Sequence, residues 1–387
     1  MRGVRAIVMG AGIIGAACAR ELALAGVPVT LLDRDGAAGA TTAHGEGNIL
    51  LSDKGPGPEL GLAQLSRRLW PAMVTDRVPG DGAEWETKGG IVVATTDEGA
   101  RALTEFAAGQ RAAGVRAEPL DPAALSAAEP HLTRDVTAAV HYPEDAQVQP
   151  AGAANVLMHA ALRAGATLRT GCEVLSAVTR KERLTAIRTT EGMLEADLFV
   201  NTAGPWAGEL SHRLGAPVDV RPRRGEILVT TPLPPTVFHK VYDADYVGAV
   251  GSDTDELQAS AVVESTRAGT VLLGSSRRAA GFDGRLRPEV LSVIARRALR
   301  LFPCLSGVPV MRAYGGFRPY VTDHLPVIGA DPRLDGLWHA TGHEGAGIGL
   351  APGTARLLTD LVTGHAPEVD AGPFRVDRPA VIPRGAG

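Results

Sequence analysis

The sequence has little cysteine, no long apolar run and no excess of positive charge, and each shortage excludes a class of protein. Its 387 residues include three cysteines, Cys18, Cys172 and Cys304. None stands in a CxxC pair, so we predict no zinc site, iron–sulfur cluster or disulfide framework and assign no metal ligands. The longest early apolar run, from Ala6 to Ala19, is broken by glycines and is shorter than a membrane span. We interpret this run as folded structure rather than a signal peptide and expect a cytoplasmic protein.

The charge balance argues against nucleic-acid binding. The formal net charge is −4 and the isoelectric point is near 6.2, whereas nucleic-acid-binding proteins are usually basic. Hydrophobic residues make up 45% and charged residues 21% of the chain, which is typical of a folded globular protein. The length favours one large or two interlocked domains.

The first 35 residues follow the order strand, glycine turn, helix, strand, acid. Residues 4–9 form an apolar strand, a helical stretch runs to about Ala25, and residues 27–32 form a second strand. The sequence GAGIIG at 10–15 joins the first strand to the helix, and Asp33 closes the second strand. This is the context that a GxGxxG motif needs in order to indicate dinucleotide binding.

Each residue of the motif has a physical role in that interpretation. Gly10 permits the tight turn, Gly12 lets the backbone approach a pyrophosphate, and Gly15 allows close packing of helix on strand. The helix N-terminus offers N–H groups to the phosphates. Asp33 would accept hydrogen bonds from the ribose hydroxyls and repel a 2′-phosphate, which disfavours NADP. The motif by itself leaves FAD and NAD open.

Three later segments carry small residues where a ligand could approach the backbone. The loop at 39–48 could lie against a bulky ring system. The strand at 198–201 runs into Ala203-Gly204, which predicts either a ligand contact at a sheet edge or an ordinary turn. A second glycine cluster, at 342–349, precedes a helix predicted from Thr354 to about Val362 and could stabilise negative charge on a reduced flavin.

These segments together resemble a known family of flavoproteins. They occur in one order: the N-terminal fingerprint, Asn201-Thr202-Ala203-Gly204-Pro205-Trp206, Gly274-Ser275-Ser276 with Gly281-Phe282-Asp283, Gly316-Phe317-Arg318-Pro319 and the segment from Gly342 to Gly349. The resemblance is to the FAD-dependent amine oxidoreductases of the D-amino acid oxidase, glycine oxidase and sarcosine oxidase family. It implies an α/β protein with a Rossmann-like FAD-binding domain built from discontinuous segments, and a substrate domain with a large, mainly antiparallel sheet over the flavin.

The resemblance also implies a division of the chain and a cofactor site. We expect the FAD-binding domain at 1–84, 146–220 and 319–387, and the substrate domain at 85–145 and 221–318. The residues expected to bind the cofactor are Gly10, Gly12, Ile13, Ile14, Gly15, Asp33, Arg34, Thr41, Thr42, Gly47, Asn48, Val174, Gly204, Gly347 and Ile348. Sarcosine oxidases attach flavin through a cysteine where this chain has Gly316, so we expect noncovalent FAD.

The resemblance points to Arg318 as the residue that pairs with a substrate carboxylate, because a guanidinium binds a carboxylate through two parallel hydrogen bonds. Tyr246 could cover that carboxylate, Tyr320 could line the pocket, and His343 could polarise the flavin edge. For each tyrosine packing is at least as strong an explanation, and for His343 helix capping is an alternative. His44 and Glu46 are favoured as solvated loop residues over amine contacts. Glycine oxidases carry an arginine where this chain has Gly345, which disfavours glycine itself as the substrate.

The predicted function is oxidation of the C–N bond of an amino or imino acid by hydride transfer to flavin N5, as a dehydrogenase. The loop at 44–48 and Ser52-Asp53-Lys54 are similar to catalytic subunits of bacterial hydroxyproline, proline and opine dehydrogenase complexes, so the substrate could be of the D-amino acid, proline or opine type. The alternatives are an oxidase that releases hydrogen peroxide and a non-catalytic flavin-binding subunit. The expected partners are a small amine bearing a carboxylate and an electron acceptor, which is oxygen, a quinone or a partner subunit with an iron–sulfur cluster. In the last case the protein would be part of a hetero-oligomer.

Overall fold

Two large sheets, one mostly parallel and one mostly antiparallel, organise the chain. The computed structural model describes residues 3–74, 82–244 and 257–383. Its strands are β1 (Ala6–Met9), β2 (Val29–Leu32), β3 (Asn48–Ile49), β4 (Gly90–Ala94), β5 (Glu118–Pro119), β6 (Ala138–Tyr142), β7 (Ala146–Gln147), β8 (Thr167–Arg169), β9 (Val174–Arg180), β10 (Arg183–Thr189), β11 (Gly192–Glu195), β12 (Leu198–Asn201), β13 (Arg221–Thr230), β14 (Lys240–Asp243), β15 (Gln258–Ser265), β16 (Val271–Ala279), β17 (Val310–Tyr320), β18 (Val327–Ala330) and β19 (Leu337–Thr341).

The α-helices in the same part of the chain cover these sheets. They are α1 (Ile13–Leu24), α2 (Pro58–Val74), α3 (Asp97–Ala112), α4 (Pro122–Ala128), α5 (Pro150–Arg163), α6 (Ala207–Leu214), α7 (Pro288–Leu301) and α8 (Gly347–Thr363). Within residues 3–74, 82–244 and 257–383, none of these helices has both the length and the apolar character that a membrane crossing requires.

The mostly parallel sheet has six strands in the order β18-β19-β12-β1-β2-β8. All its neighbouring pairs are parallel except β18 with β19. Helix α1 packs against α5 and α8. The buried side chains Ala16, Ala17 and Ala19 of α1 are small, so these helices can approach closely. This sheet and its helices form the Rossmann-like half of the predicted fold.

The second sheet has eight strands in the order β17-β13-β16-β15-β14-β4-β6-β5. Only β14 and β4 pair in parallel. Helix α7 packs on β13, β15 and β16, and it buries Val290, Ile294, Ala298 and Leu301 as the apolar stripe predicts. The α7 side of the sheet is thereby filled with apolar side chains. The predicted large, mainly antiparallel sheet is confirmed.

The six strands of the first sheet all come from the chain segments predicted for the FAD-binding domain. The strands of the eight-stranded sheet come from the segments predicted for the substrate domain, apart from the last two residues of β17. The domain boundaries themselves stay a prediction.

One helix boundary was predicted wrongly. Helix α8 begins at Gly347 rather than at Thr354 and contains Pro352. Glycine and proline lower intrinsic helix propensity, so a reading of local sequence places the start too late. Packing of α8 on α1 and α2 stabilises the helix despite this composition.

The contact between α2 and α8 depends on a glycine. The Gly353 N–H donates to Ser66 Oγ at 2.9 Å, and the Trp70 Nε1–H donates to the Gly349 carbonyl at 3.1 Å. A Cβ atom at Gly353 would lie 2.9 Å from the backbone oxygen of Leu62. The two helix backbones therefore leave no room for a side chain at this position.

We predict that Gly353→Ala lowers the free energy of unfolding by about 1–3 kcal/mol, because the helices must separate to admit the methyl group. Gly61→Ala in α2 is the matched control, since among the described residues no atom beyond its chain neighbours and its own helix backbone lies within 4 Å of its Cβ position. The control should raise stability by about 0.5–1 kcal/mol through helix propensity. Urea denaturation of both variants tests this, and equal effects would contradict it.

Candidate functional site

The glycine turn after β1 brings three pieces of backbone together. Gly10 has φ +121°, and a Cβ atom there would lie 2.6 Å from the carbonyl oxygen of Thr202. A Cβ atom at Gly15 would overlap the carbonyl oxygen of Gly10. The turn therefore packs directly on the end of β12, and Gly15 serves helix packing rather than ligand contact.

Side chains from two loops orient the start of α1. The Ile13 N–H donates to Thr42 Oγ1 at 3.0 Å. The carboxylate of Asp33 accepts from the Ala11 N–H at 2.8 Å and from the Asp35 N–H at 2.9 Å. These bonds hold the Asp33 carboxylate at the end of β2, beside the N-terminus of α1, where a nucleotide ribose and phosphates are bound in such folds.

A cavity of about 370 Å³ begins at this turn and continues to the antiparallel sheet. Of the fifteen residues that the sequence assigned to the cofactor, all but Gly15 line it. The lining ones are Gly10, Gly12, Ile13, Ile14, Asp33, Arg34, Thr41, Thr42, Gly47, Asn48, Val174, Gly204, Gly347 and Ile348. Residues from distant parts of the sequence thus share one cavity, although their individual roles stay proposals.

One end of the cavity is enclosed by charged and aromatic side chains. The Arg34 guanidinium lies 4.5 Å from the centre of the Trp206 ring. Arg213 donates to Glu173 at 2.6 Å and to the Val174 carbonyl at 3.1 Å. These residues adjoin the glycine turn, so this end suits the adenosine part of a dinucleotide.

The opposite end lies between the loop at 44–48, the start of α8 and the antiparallel sheet. Gly225 of β13 and Gly316 of β17 pair with each other and both line the cavity. A Cβ atom at Gly316 would lie 2.8 Å from His44 Cβ. The loop therefore rests on a part of the sheet that has no side chains.

Arg318 lies on this sheet face and lines the same cavity. Its Nη1 donates to the carbonyl oxygen of Ser276 at 2.8 Å. A Cβ atom at Gly225 would overlap the guanidinium, so glycine at that position lets the Arg318 side chain lie flat on the strand. The guanidinium is held by backbone and faces the far end of the cavity.

A buried ion-pair network supports this end from behind. Glu344 accepts from Arg223 at 2.9 Å and lies 3.5 Å from Arg277 and 3.1 Å from His324. Burial raises the pKa of Glu344, but the hydrogen bond with His324 and the charges of Arg277 and Arg223 outweigh it and lower the pKa to about 2. Glu344 is therefore ionised at neutral pH.

Two of the residues expected to contact substrate or flavin lie outside the cavity lining. The buried His343 ring is hydrogen-bonded to Thr354 Oγ1 at 2.9 Å, and burial lowers its pKa to about 3, so the ring is neutral. Tyr320 stacks under the Arg223 guanidinium at 4.9 Å. Tyr246 lies outside the described residues. Of the three that the structure describes, Arg318 alone lines the cavity.

Sequence reasoning missed several lining residues, namely Trp206, Gly225, Ile227, Phe317 and Glu344. Gly225 carried a usable signal, because a glycine inside a long strand indicates a close approach of another group. Trp206 and Phe317 stand in segments that carry the family resemblance, but no role was assigned to them. Ile227 and Glu344 carried no signal, since they reach the cavity through the pairing of β13 with β17 and through the turn before α8.

The residues of this cavity fit FAD. The glycine turn and the N-terminus of α1 suit a pyrophosphate, and Asp33 suits a ribose. At the sheet, Gly225 and Gly316 let Arg318 and His44 lie close against the backbone, and all four residues line the cavity. Cys172, the one cysteine that lines the cavity in the described part of the chain, lies at the adenosine end beside Glu173. Fold and site together define an FAD-dependent oxidoreductase.

Comparison with known proteins identifies the family. The model of the family described as DAO, FAD dependent oxidoreductase, matches residues 5–361, so the chain belongs to that family. Glycine oxidase of Pseudomonas aeruginosa is 30% identical, over 96% of this chain and 98% of its own. The bifunctional protein ThiO/ThiG of Nostoc sp. is also 30% identical. That match covers 92% of this chain, and this chain spans 52% of the length of ThiO/ThiG. The crystal structure of glycine oxidase from Geobacillus kaustophilus superimposes with a TM-score of 0.87 at 27% identity, over 97% of this chain and 99% of that one.

We predict that Glu344→Gln lowers the free energy of unfolding at neutral pH by about 3–5 kcal/mol, because two buried arginines lose their carboxylate partner. The folded-state pKa lies below the ordinary value of 4.5. The carboxylate therefore contributes stability above pH 4.5, and this contribution is lost as the pH falls toward 2.

The difference between wild type and variant should shrink as the pH falls below 4.5, which urea denaturation over a pH series measures. Glu195→Gln, at an exposed position in β11, is the control and should change stability by less than about 0.5 kcal/mol. A difference that stays constant with pH would contradict the assigned ionisation.

Proposed function

We propose that the protein is an oxygen-using oxidase of a small α-amino or α-imino acid, with Arg318 as the residue that binds the substrate carboxylate. The observation that carries this proposal is the continuity of one cavity from the glycine turn at Gly10 to the guanidinium of Arg318. A dinucleotide site alone would suit many reactions. A fixed guanidinium at the flavin end of that site selects an anionic reductant.

The setting of Arg318 suits recognition of a carboxylate. A planar guanidinium binds a carboxylate through two parallel hydrogen bonds, which an ammonium group cannot reproduce. The bond to Ser276 and the close contact with Gly225 restrict the side chain before substrate arrives. Less conformational freedom is then lost on binding.

The choice between oxygen and another electron acceptor rests on the relatives. The sequence led us to expect a dehydrogenase, whereas the full-length relative and the superimposed structure described above are both named glycine oxidase. This similarity supports the oxygen-using alternative over the dehydrogenase. It also supports a small amino acid as the substrate.

Gly345 bears on the size of that substrate. Its Cβ position lies 3.6 Å from Arg318 Nε and 3.7 Å from Arg277 Nη2. The family resemblance implies an arginine in this segment of glycine oxidases, whereas this chain places no side chain beside Arg318 at Gly345. We infer that the site accepts an amino acid larger than glycine.

Bound FAD would be the acceptor of the two electrons that are removed from the carbon bearing the nitrogen. The chain supplies binding and orientation. Arg318 holds the carboxylate, which fixes the α-carbon at a set distance from the sheet. The N-terminus of α8 at Gly347 and Ile348 gives its end of the cavity a partial positive charge.

We predict that an amino acid reduces the flavin of the purified protein without oxygen, and that admitting air restores the flavin colour with release of hydrogen peroxide. The measurement is visible absorbance during anaerobic titration with glycine, sarcosine, D-alanine and D- and L-proline. Recovery of colour with a dye but not with air would favour the dehydrogenase. A flavin that none of these compounds reduces would overturn the proposed substrate class.

We predict that Arg318→Ala retains FAD but raises KM by about a hundredfold or more, because two charge-assisted hydrogen bonds are lost. Arg318→Lys should restore only a small part of the lost affinity, since a lysine ammonium lacks the planar pair of N–H donors of a guanidinium. Arg312→Ala is the control: Arg312 lies on the same strand, is exposed, and stacks on Tyr314. Steady-state kinetics and flavin content are the measurements, and near-normal kinetics of Arg318→Ala would reject the role.

A further inference from the structure

We propose that Glu46 binds the cationic nitrogen of the substrate and excludes substrates whose nitrogen carries a second carboxylate. This inference rests on the proposed function and specifies its substrate class: α-amino and N-alkyl amino acids rather than N-carboxyalkyl amino acids. Sequence reasoning favoured Glu46 as a solvated loop residue. The structure instead places it in the lining of the cavity that contains Arg318.

The loop that carries Glu46 is held against the antiparallel sheet. His44 packs on Gly316, and the Tyr314 hydroxyl donates to the Gly45 carbonyl at 3.4 Å. A Cβ atom at Gly274 would overlap Glu46 Oε1, so the carboxylate lies directly on the backbone of β16. This is a fixed position on the sheet rather than a solvated loop tip.

Glu46 and Arg318 contact the same strand two residues apart. Glu46 Oε1 lies against Gly274, and Arg318 donates to the carbonyl of Ser276. Two residues of backbone span at most about 7 Å. One negative and one positive side chain therefore lie a short distance apart along one wall. An α-amino acid, whose carboxylate and nitrogen are attached to the same carbon, presents the complementary pair of charges.

In the part of the chain that the structure describes, Glu46 has an amide rather than a cation as its side-chain partner. Its Oε2 accepts from Asn48 Nδ2 at 3.0 Å. The nearby Lys240 forms an ion pair at 2.8 Å with the buried Glu264. Within the described part of the chain, no lysine or arginine forms an ion pair with Glu46. A carboxylate in a partly enclosed site is stabilised by a cationic ligand.

The same carboxylate makes the site selective. A methyl group on the substrate nitrogen adds no charge. A carboxymethyl group instead places a second carboxylate close to the nitrogen that Glu46 binds, and so close to the Glu46 carboxylate. Like charges at that separation repel, and such repulsion is a common source of specificity. The opine-type substrates considered from the sequence are therefore disfavoured.

The test compares three ligands of the FAD-loaded protein: sarcosine, glycolate and iminodiacetate. Glycolate has the carboxylate but a hydroxyl in place of the nitrogen, and iminodiacetate has a carboxylate on both arms. Binding is read from the change in flavin absorbance without oxygen, or from the saturation of the flavin reduction rate where the ligand reduces it. Glu46→Gln keeps the size of the side chain and removes its charge. Glu195→Gln is the charge-matched control.

We expect Glu46→Gln to weaken sarcosine binding about tenfold to a hundredfold, the effect of losing a hydrogen bond to a charged group. Glycolate binding should stay within about twofold, and iminodiacetate should bind at least tenfold more tightly than to wild type. Equal shifts for sarcosine and glycolate would indicate a merely structural role and overturn the inference. Unchanged binding of all three would overturn it as well.

Wild-type protein supplies a second test that does not depend on the folding of the variant. Sarcosine should bind at least tenfold more tightly than iminodiacetate, and the opposite order or equal affinities would overturn the inference. Failure of the proposed function gives a different pattern, in which neither glycolate nor any amino acid binds the wild-type protein. If amino acids and glycolate bind but the variant behaves as wild type, the inference about Glu46 alone is wrong.

Discussion

The site depends on close packing at glycines, both in the turn after β1 and on the antiparallel sheet. On one side, the turn at Gly10 packs within van der Waals contact of Thr202, so the end of β1, the start of α1 and the end of β12 meet. On the other side, Gly225 and Gly316 pair across β13 and β17, and the Arg318 guanidinium and His44 lie directly over these two glycines. A side chain at any of these glycines would push against Thr202, Arg318 or His44, which line the cavity.

Electrostatics then divide this space by function. The end beside α1 has the N–H groups of a helix terminus and the carboxylate of Asp33, which suit phosphates and a ribose. The end beside the sheet has the guanidinium of Arg318 and the carboxylate of Glu46. At the same end, the buried Glu344 forms ion pairs with Arg223 and Arg277. Membership of the FAD-dependent oxidoreductase family agrees with this division.

The relation to glycine oxidases covers nearly the whole chain, whereas the relation to ThiO/ThiG covers only the part that the two proteins share. Family membership therefore settles the cofactor and the general reaction, and the lining of the far end decides the substrate. Gly345 and Glu46 act on that choice in opposite directions. In the function proposed above, the lack of a side chain at Gly345 admits a substrate larger than glycine, while the charge of Glu46 excludes a second carboxylate.

Local sequence determined those parts of the protein whose structure arises from neighbouring residues. The glycine turn, α1 and Asp33 lie within one βαβ unit, so their spacing alone indicates a dinucleotide site. The apolar stripe of α7 likewise predicts its buried face. The family resemblance carried by the order of the motifs implied the two-sheet architecture and pointed to Arg318 as a site residue. Tertiary structure decided the rest, because it depends on pairing between strands far apart in the chain. The register of β13 with β17 brings Gly225 under Arg318. The packing of Glu46 against Gly274 makes this loop residue part of the cavity lining. The same long-range packing buries His343 behind the cavity and extends α8 to Gly347, because contacts with distant helices outweigh local propensity.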